Sequence, residues 1–238
     1  MNDILLVDKP ASWTSFDVVA KIRGAIRATY AKKGVKPTKR QLKVGHAGTL
    51  DPFATGLLVI LLGDACSRSN EFLKQDKIYE STFRLGVKSS TGDPDGDMTQ
   101  VSEKVPARED VEKALTSFTG EITQTPPAYS AIKINGERAY NLARKGKEVD
   151  MPTRQVTIHS LVLLNYAYPD VRVRAHVSSG TYIRSLAEDI GTALGTGAYC
   201  AELRRTKTGT LSIDDSMSVE QVLARVQLDN DEENHDDK

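Results

Sequence analysis

The feature that most constrains the fold is a period-two alternation of apolar and polar residues in two separate segments. In the first, Tyr79, Ser81, Phe83 and Leu85 share one face, and Glu80, Thr82 and Arg84 share the other. In the second, Val171, Val173, Ala175 and Val177 alternate with Arg172, Arg174 and His176. Because successive side chains of a strand point to opposite faces of the sheet, both segments are predicted to be half-buried strands.

Three other segments have helical periodicity. Thr14 and Asp17 have the spacing of a capping box and predict a helix that continues to Arg27. Apolar stripes predict a second helix over 108–118 and a third that starts near Arg184 and stops at Gly195. Strands mostly lead to strands, which favours an α+β fold with a mixed, mostly antiparallel sheet and flanking helices over regular βαβ alternation.

Length and composition bound the organisation of the chain. Its 238 residues contain no internal repeat or linker, so we expect one domain over 1–226 and a disordered acidic tail over 227–238. The chain has two cysteines, its N-terminus lacks a signal-peptide pattern, and its longest apolar run, Gly56–Gly63, is far below the ~20 residues of a membrane span. We therefore expect a cytoplasmic protein that does not enter a membrane. We also expect it to be a monomer.

The distribution of charge indicates a polyanionic partner. Lys and Arg number 32, as do Asp and Glu, but the last ten residues hold six acids and one base, which leaves 31 bases and 26 acids in the body, a net charge of +5. A run of bases without an acid lies between Arg27 and Lys43 and includes Lys32, Lys33, Lys36 and Arg40. Such a run is either a solvated loop or a contact to nucleic acid.

The densest group of special residues is the glycine-rich segment Val44–Gly56, which contains Asp51 before Pro52. Pro52 disfavours a helical conformation at Asp51, so the loop is able to present a carboxylate at a cleft; an ordinary Gly-Pro turn with a solvated Asp is the alternative. A phosphate-binding loop is excluded, because neither the Walker spacing nor G-x-G-x-x-G is present.

Three further segments combine aromatic and basic residues. Tyr79 at the start of a strand is either a core residue or a stacking face for a base. Arg184, in the first turn of a helix, is either a surface arginine or the partner of an anion, since the helix dipole favours acids there. The segment from Pro126 to Gly146 interleaves aromatics with bases, as nucleic-acid interfaces do, although exposed loops also show this pattern.

No metal or cofactor site is predicted. The segment Asp93–Asp97 differs from a calcium loop in the position of its glycine and in having Lys104 at the twelfth position. The four histidines, His46, His159, His176 and His235, show no ligand spacing. A glycoside hydrolase would need two carboxylates, and Asp51 alone has a special setting.

Four motifs together resemble the TruB family of tRNA pseudouridine synthases. They are Gly45–Pro52, Lys77-x-Tyr79, Pro127-x-Tyr129-Ser130-Ala131-x-Lys133 and Gly180–Arg184, and they occur in the family's order. The resemblance extends from about Ile4 to Arg205. It implies the pseudouridine synthase fold, with an RNA-binding cleft across the sheet, and an isomerase that converts the T-loop uridine at position 55 of tRNA to pseudouridine without a cofactor or metal.

The same resemblance implies roles for individual residues. Asp51 is the catalytic aspartate, which attacks either the ribose C1′ or the base, Tyr79 stacks on the base and takes part in proton transfer, and Arg184 pairs with Asp51. An adjacent arginine would keep a buried carboxyl ionised. The matching motifs also imply RNA or substrate contacts by His46, Lys77, Tyr182, Leu203, Lys133 and Arg144, and they suggest that Arg204 or Arg205 either reaches phosphate or braces the fold.

The chain departs from the family pattern in three places. It ends soon after Glu220, so the C-terminal PUA-like RNA-binding module is expected to be absent; Ser179 stands where bacterial relatives often have lysine; and the basic run between Arg27 and Lys43 is longer than usual. We expect that run to supply phosphate contacts. A synthase for another RNA and a non-catalytic RNA-binding or RNA-folding protein remain the alternatives.

Overall fold

A computed structural model of the protein describes residues 2–130, 132–134, 136–146 and 150–232, the side chains of 228–232 excepted. The motif residue Ala131 and the tail residues 233–238 lie outside this range. The helices are α1 (Ser15–Lys32), α2 (Ser69–Leu73), α3 (Arg108–Ser117), α4 (Ala139–Arg144), α5 (Ile183–Ala193) and α6 (Val219–Glu232). None of the described helices has the length and apolarity that a membrane crossing needs.

The strands range in length from 2 to 14 residues. They are β1 (Ile4–Lys9), β2 (Val44–Ala47), β3 (Thr55–Leu62), β4 (Lys77–Leu85), β5 (Val87–Ser89), β6 (Met98–Gln100), β7 (Gly120–Gln124), β8 (Lys133–Ile134), β9 (Glu137–Arg138), β10 (Arg154–Ala167), β11 (Asp170–Val177), β12 (Ala198–Thr208), β13 (Leu211–Ser212) and β14 (Met217–Ser218).

The chain forms two compact units. Unit one comprises the residues up to Gln75 and those from Arg204 onward, and unit two runs from Asp76 to Leu203. The segment from Arg204 returns to unit one because two residues of β12, Arg204 and Arg205, pair in parallel with Thr55 and Gly56 of β3. Because this boundary falls inside a strand, the sequence shows no linker there.

Unit one is built around β3, which is buried along almost its whole length. β3 pairs antiparallel with β1 and β2, and β1 pairs in parallel with β14. Helix α1 packs against β2 and α6. The predicted capping box is present, because Asp17 N–H donates to Thr14 Oγ1 at 3.0 Å and Thr14 N–H donates to the Asp17 carboxylate at 2.7 Å.

Helix α1 continues to Lys32, so the first part of the predicted basic run is helical rather than a loop. The backbone of α6 is helical as far as Glu232. Residues 233–238 of the tail expected over 227–238 lie outside the described residues, and the disorder of this tail stays a prediction.

Unit two carries an antiparallel sheet in the order β4-β11-β10-β7. The predicted alternation is confirmed in Tyr79–Leu85 of β4 and in Val171–Val177 of β11, where the apolar residues are buried and the charged residues lie on the opposite, outer face. Helix α3 packs on β10 and α5, and α5 packs on β4. Both helices lie where their apolar stripes predicted, and Gly195, with φ of +69°, follows the end of α5. The predicted α+β class with a mostly antiparallel sheet is confirmed.

We predict that Gly56→Ala destabilises the protein. Gly56 has φ of +102°, and a Cβ there would lie 2.3 Å from the carbonyl oxygen of Arg205. Backbone strain of this kind costs about 1–3 kcal/mol, and the collision adds to it. Gly24→Ala is the matched control, since no atom lies within 4 Å of a Cβ at that helical position and alanine should stabilise by about 0.5–1 kcal/mol. Urea unfolding of both variants checks the prediction, and equal midpoints would contradict it.

Candidate active site

Asp51 lies in unit one, on the loop between β2 and β3, and two side chains from outside the loop support it. Lys9 Nζ donates to the carbonyl of Pro52 at 3.3 Å and also to those of Pro10 and Trp13 at 2.8 and 2.6 Å. Ser15 Oγ accepts from Leu50 N–H at 2.8 Å and lies 3.1 Å from the Leu50 carbonyl. The residues on both sides of Asp51 are therefore held through their backbone.

Arg205 supports the same loop from β12. Its side chain is buried, and its guanidinium donates to the carbonyls of Leu57 at 2.7 Å, Gly48 at 3.0 Å and Thr49 at 3.5 Å. Arg205 thus braces the fold, one of the two roles expected for this pair of arginines. Arg204 instead forms a two-pronged ion pair with Asp8, at 2.7 and 3.0 Å.

Lys9 of unit one is a buried cation that interacts electrostatically with Asp51. Burial lowers the pKa of Lys9 to about 8, although the carboxylates of Asp51 and Asp17 act in the opposite direction, and Arg205 lowers it further. The Asp51 carboxylate and the Lys9 ammonium are therefore close enough to interact electrostatically. Lys9 was not among the predicted site residues; the signal for it was a charged residue that ends a mainly apolar strand.

His46 lies in β2, ahead of the Asp51 loop. Burial, followed by the positive charge of Arg205, lowers its pKa, so the ring is neutral at physiological pH. Its Nδ1 atom is buried and has no hydrogen-bond partner among the described residues. A neutral imidazole is suited to stacking or to a single hydrogen bond with a base, not to an ion pair with phosphate.

Arg184 lies in unit two, at the start of α5, and it is almost fully buried. Its guanidinium pairs with Asp93 at 3.0 Å and donates to the carbonyls of Thr91 at 2.8 Å and Tyr129 at 2.7 Å. Asp93, 6% exposed, is the anion that accounts for a cation in the first turn of the helix. The interpretation of Arg184 as an ordinary surface arginine is wrong, while its pairing with Asp51 stays a prediction.

Tyr79 and Lys77 share the buried face of β4, where Tyr79 is 9% and Lys77 6% exposed. Tyr79 lies opposite Ala175 of β11 in the strand register. Leu203, the last residue of unit two, is also buried, and its place in an apolar wall of the site stays a prediction.

Tyr182 precedes α5 and is fixed by two side chains that the sequence did not indicate. Gln124 accepts from Tyr182 N–H at 2.8 Å and donates to its carbonyl at 3.0 Å. The guanidinium of Arg154 lies 4.6 Å from the centre of the Tyr182 ring. Two of its nitrogens, Nε and Nη2, are buried without a hydrogen-bond partner among the described residues. In the sequence, Arg154 is a single basic residue at the start of a strand, and nothing there indicated its contact with Tyr182.

The predicted RNA contacts in the segment 126–146 are exposed. Lys133 lies in β8 and Arg144 in the last turn of α4. The guanidinium groups of Arg144 and Arg138 lie 5.7 and 5.9 Å from the ring centre of Tyr140, so this tyrosine is flanked by two cations. The predicted combination of aromatic and basic residues is present here.

The residues of the basic run differ in their surroundings. Lys32 ends α1, Lys33 is its C-cap residue, and Lys36 is exposed after the helix. Arg40 is different, because it forms a two-pronged ion pair with Asp64 and its charge is already compensated. Lys32, Lys33 and Lys36 are the better candidates for contacts to phosphate.

Comparison with known proteins assigns the fold and then the family. The structure superposes with a TM-score of 0.68 on a chain from a crystal structure of a Cbf5-Nop10-Gar1 complex, at 30% identity over 93% of this chain and 53% of that one. A second match is the structure of an H/ACA RNP bound to a substrate RNA containing 2′-deoxyuridine, with a TM-score of 0.67, 26% identity and coverage of 97% and 55%. The chain spans about half the length of these structural relatives.

Residues 33–183 match the N-terminal domain of the TruB family of pseudouridylate synthases, and residues 184–237 match the tRNA pseudouridylate synthase B C-terminal domain. The chain is 45% identical to tRNA pseudouridine synthase B of Phocaeicola vulgatus, over 92% of this chain and 91% of the relative. Identity to the Burkholderia mallei enzyme of that name is 41%, over 97% and 72%. The chain belongs to the TruB family of pseudouridylate synthases, and its fold is the pseudouridine synthase fold that the motifs implied.

We predict that Lys9 makes the stability of the protein depend on pH above pH 8. Because the pKa of Lys9 is lowered to about 8 in the folded protein and is about 10.4 in an unfolded chain, the unfolded state binds more protons between these values. The free energy of unfolding should therefore rise with pH in this window, by at most about 1.4 kcal/mol per pH unit.

Urea unfolding at pH 7.5 and pH 9.5 measures this effect against Lys9→Met, which lacks the group. The free energy of unfolding of wild type minus that of Lys9→Met should be larger at pH 9.5 than at pH 7.5. Lys21→Met, at an exposed position of α1, is the control and should parallel wild type. Parallel profiles for wild type and Lys9→Met would refute the assignment.

Proposed function

We propose that the protein isomerises the T-loop uridine at position 55 of tRNA to pseudouridine, with Asp51 as its catalytic residue. The observation that carries the proposal is the fixed loop of Asp51: the backbone of its neighbours is held by Lys9, Ser15 and Arg205. This loop lies within the segment that matches the pseudouridylate synthase family. Relatives named tRNA pseudouridine synthase B support tRNA as the substrate.

The reaction rearranges one nucleoside without any other reactant. The bond between C1′ and N1 of uridine breaks, a bond between C1′ and C5 forms, and the proton on C5 is exchanged for one on N1. A carboxylate is suited to assist the first step, either as a nucleophile at C1′ or through the base. The nucleotide must first leave its stack, which costs a few kcal/mol.

We assign further residues to the remaining tasks. Tyr79 stacks on the extruded base and takes part in removal of the C5 proton, and a neutral His46 contacts neighbouring loop nucleotides. Lys77, Tyr182 and Leu203 complete the substrate contacts. Arg184, whose guanidinium is already oriented by Asp93 and two carbonyls, is assigned to the Asp51 carboxylate.

We predict that Asp51→Asn abolishes pseudouridine formation while RNA binding persists. The amide has nearly the same shape but is not a nucleophile at neutral pH, so the loss is expected to reach at least 1000-fold. Incubation with a T-arm stem-loop RNA tritiated at uridine C5 measures the reaction as released tritium, and site mapping locates the product.

Asp3→Asn, a carboxylate-to-amide change at an exposed ion pair with Arg225, is the matched control and should keep wild-type activity. Tyr79→Phe should bind RNA but turn over little. Product from Asp51→Asn at the wild-type rate would exclude Asp51 as the catalyst. Wild type that acts on another RNA and on no tRNA would exclude the proposed substrate.

We also predict that four lysines at and after the end of α1 contact phosphates. Replacing Lys32, Lys33, Lys36 and Lys39 with glutamine should weaken tRNA binding and lower the slope of log K against log[salt] by about 0.7–0.9 for each phosphate that the variant no longer neutralises. Lys113→Gln on α3 should leave the slope unchanged. Filter binding at several salt concentrations measures the slopes, and a fourfold variant with the wild-type slope rejects the assignment.

A further inference from the structure

Two histidines and an aspartate come together on the outer face of unit two. His159 Nε2 lies 3.2 Å and His176 Nε2 3.9 Å from Asp76 Oδ2. One ligand atom from each residue lies within 4.8 Å of the other two, and the imidazole rings are 4.6 Å apart. Among the described residues, these three form a group of acidic and histidine side chains whose ligand atoms are close enough to hold one metal ion.

The three residues come from separate elements, and a β-bulge aligns them. Ile158 of β10 pairs with Val177 of β11, but the next pair is Ser160 with His176, so His159 is an extra residue in β10. A bulge of this kind turns a side chain out of the regular alternation. It places His159 beside His176, while Asp76 approaches from the residue before β4.

The cluster is accessible and does not belong to the candidate active site. The side chains of Asp76, His159 and His176 are 46%, 37% and 41% exposed. His176 lies opposite Ile78, whereas Tyr79 lies opposite Ala175, so the imidazole and the tyrosine occupy opposite faces of the sheet. The neighbouring charge on the outer face, Glu80, is already paired with Arg172 and Arg174.

We propose that Asp76, His159 and His176 bind a late first-row divalent metal ion, with Zn²⁺ as the fitting case. Zinc bonds to nitrogen and oxygen of about 2.0–2.1 Å place tetrahedral ligand atoms about 3.4 Å apart, and the separations from Asp76 Oδ2, 3.2 and 3.9 Å, bracket that value. The fourth position faces solvent. Two imidazoles disfavour Mg²⁺ and Ca²⁺, which prefer sets of oxygen ligands.

The bound ion would tie the start of β4 to β10 and β11. A metal that binds the folded chain more tightly than the unfolded one stabilises it. The role is structural and takes no part in the isomerisation, so it stands independently of the proposed function.

Titration of the metal-free full-length protein with ZnCl₂ tests the proposal by calorimetry and by thermal unfolding. We expect one Zn²⁺ per chain and a higher Tm. His159→Asn, His176→Asn and Asp76→Asn should each weaken binding at least 10-fold and remove the rise in Tm. Because these positions are exposed, the Tm without metal should stay near that of wild type, which verifies that each variant folds.

Co²⁺ reports the ligands directly. A tetrahedral site of nitrogen and oxygen ligands gives visible absorption without the near-ultraviolet thiolate band that a site at Cys66 would give. His235→Asn, which changes a histidine of the tail outside the described residues, is the control and should bind like wild type, and Mg²⁺ should not raise the Tm. Absence of Zn²⁺ binding at 100-fold excess over protein overturns the proposal, as does equal binding by wild type and His176→Asn.

Discussion

The hydrogen bonds of one buried arginine hold together the part of unit one that carries Asp51. Arg205 donates to the carbonyls of Gly48, Thr49 and Leu57, which belong to the loop and to the strand after it. A buried charge is costly unless its donors are satisfied. The loop therefore cannot change conformation without leaving that guanidinium unsatisfied, and Gly56 leaves the backbone of β12 the room to pass.

Unit two uses a buried cation in the same manner. Arg184 is anchored by the carbonyls of Thr91 and Tyr129 as well as by Asp93, much as Lys9 is anchored by three carbonyls in unit one. Arg184 is the last residue of the Gly180–Arg184 motif, and in unit one Lys9 contacts the carbonyl of Pro52, the last residue of the Gly45–Pro52 motif. Backbone oxygens hold each of these cations in a fixed direction.

Local patterns were sufficient to predict much of the fold and part of the candidate site. The alternation in β4 and β11 and the capping box at Thr14 depend on residues close in sequence, and the motif around Asp51 is a continuous segment. The Asp93–Arg184 pair joins residues 91 positions apart, and nothing local distinguishes Asp93 from the other acids of its loop. The unit boundary within β12 also depends on strand pairing, which cannot be predicted from the composition of a linker.

The extra residue at His159 has a consequence for how this surface can evolve. In a regular strand, exchange of a side chain alters one position, but deletion of Ile158 beside the bulge would place His159 opposite Val177 and turn this imidazole toward the buried face. A descendant could therefore keep Asp76, His176 and a histidine in β10 and still lose their convergence. At this surface, the convergence of the three side chains depends on the number of residues in β10 as well as on which residues are present.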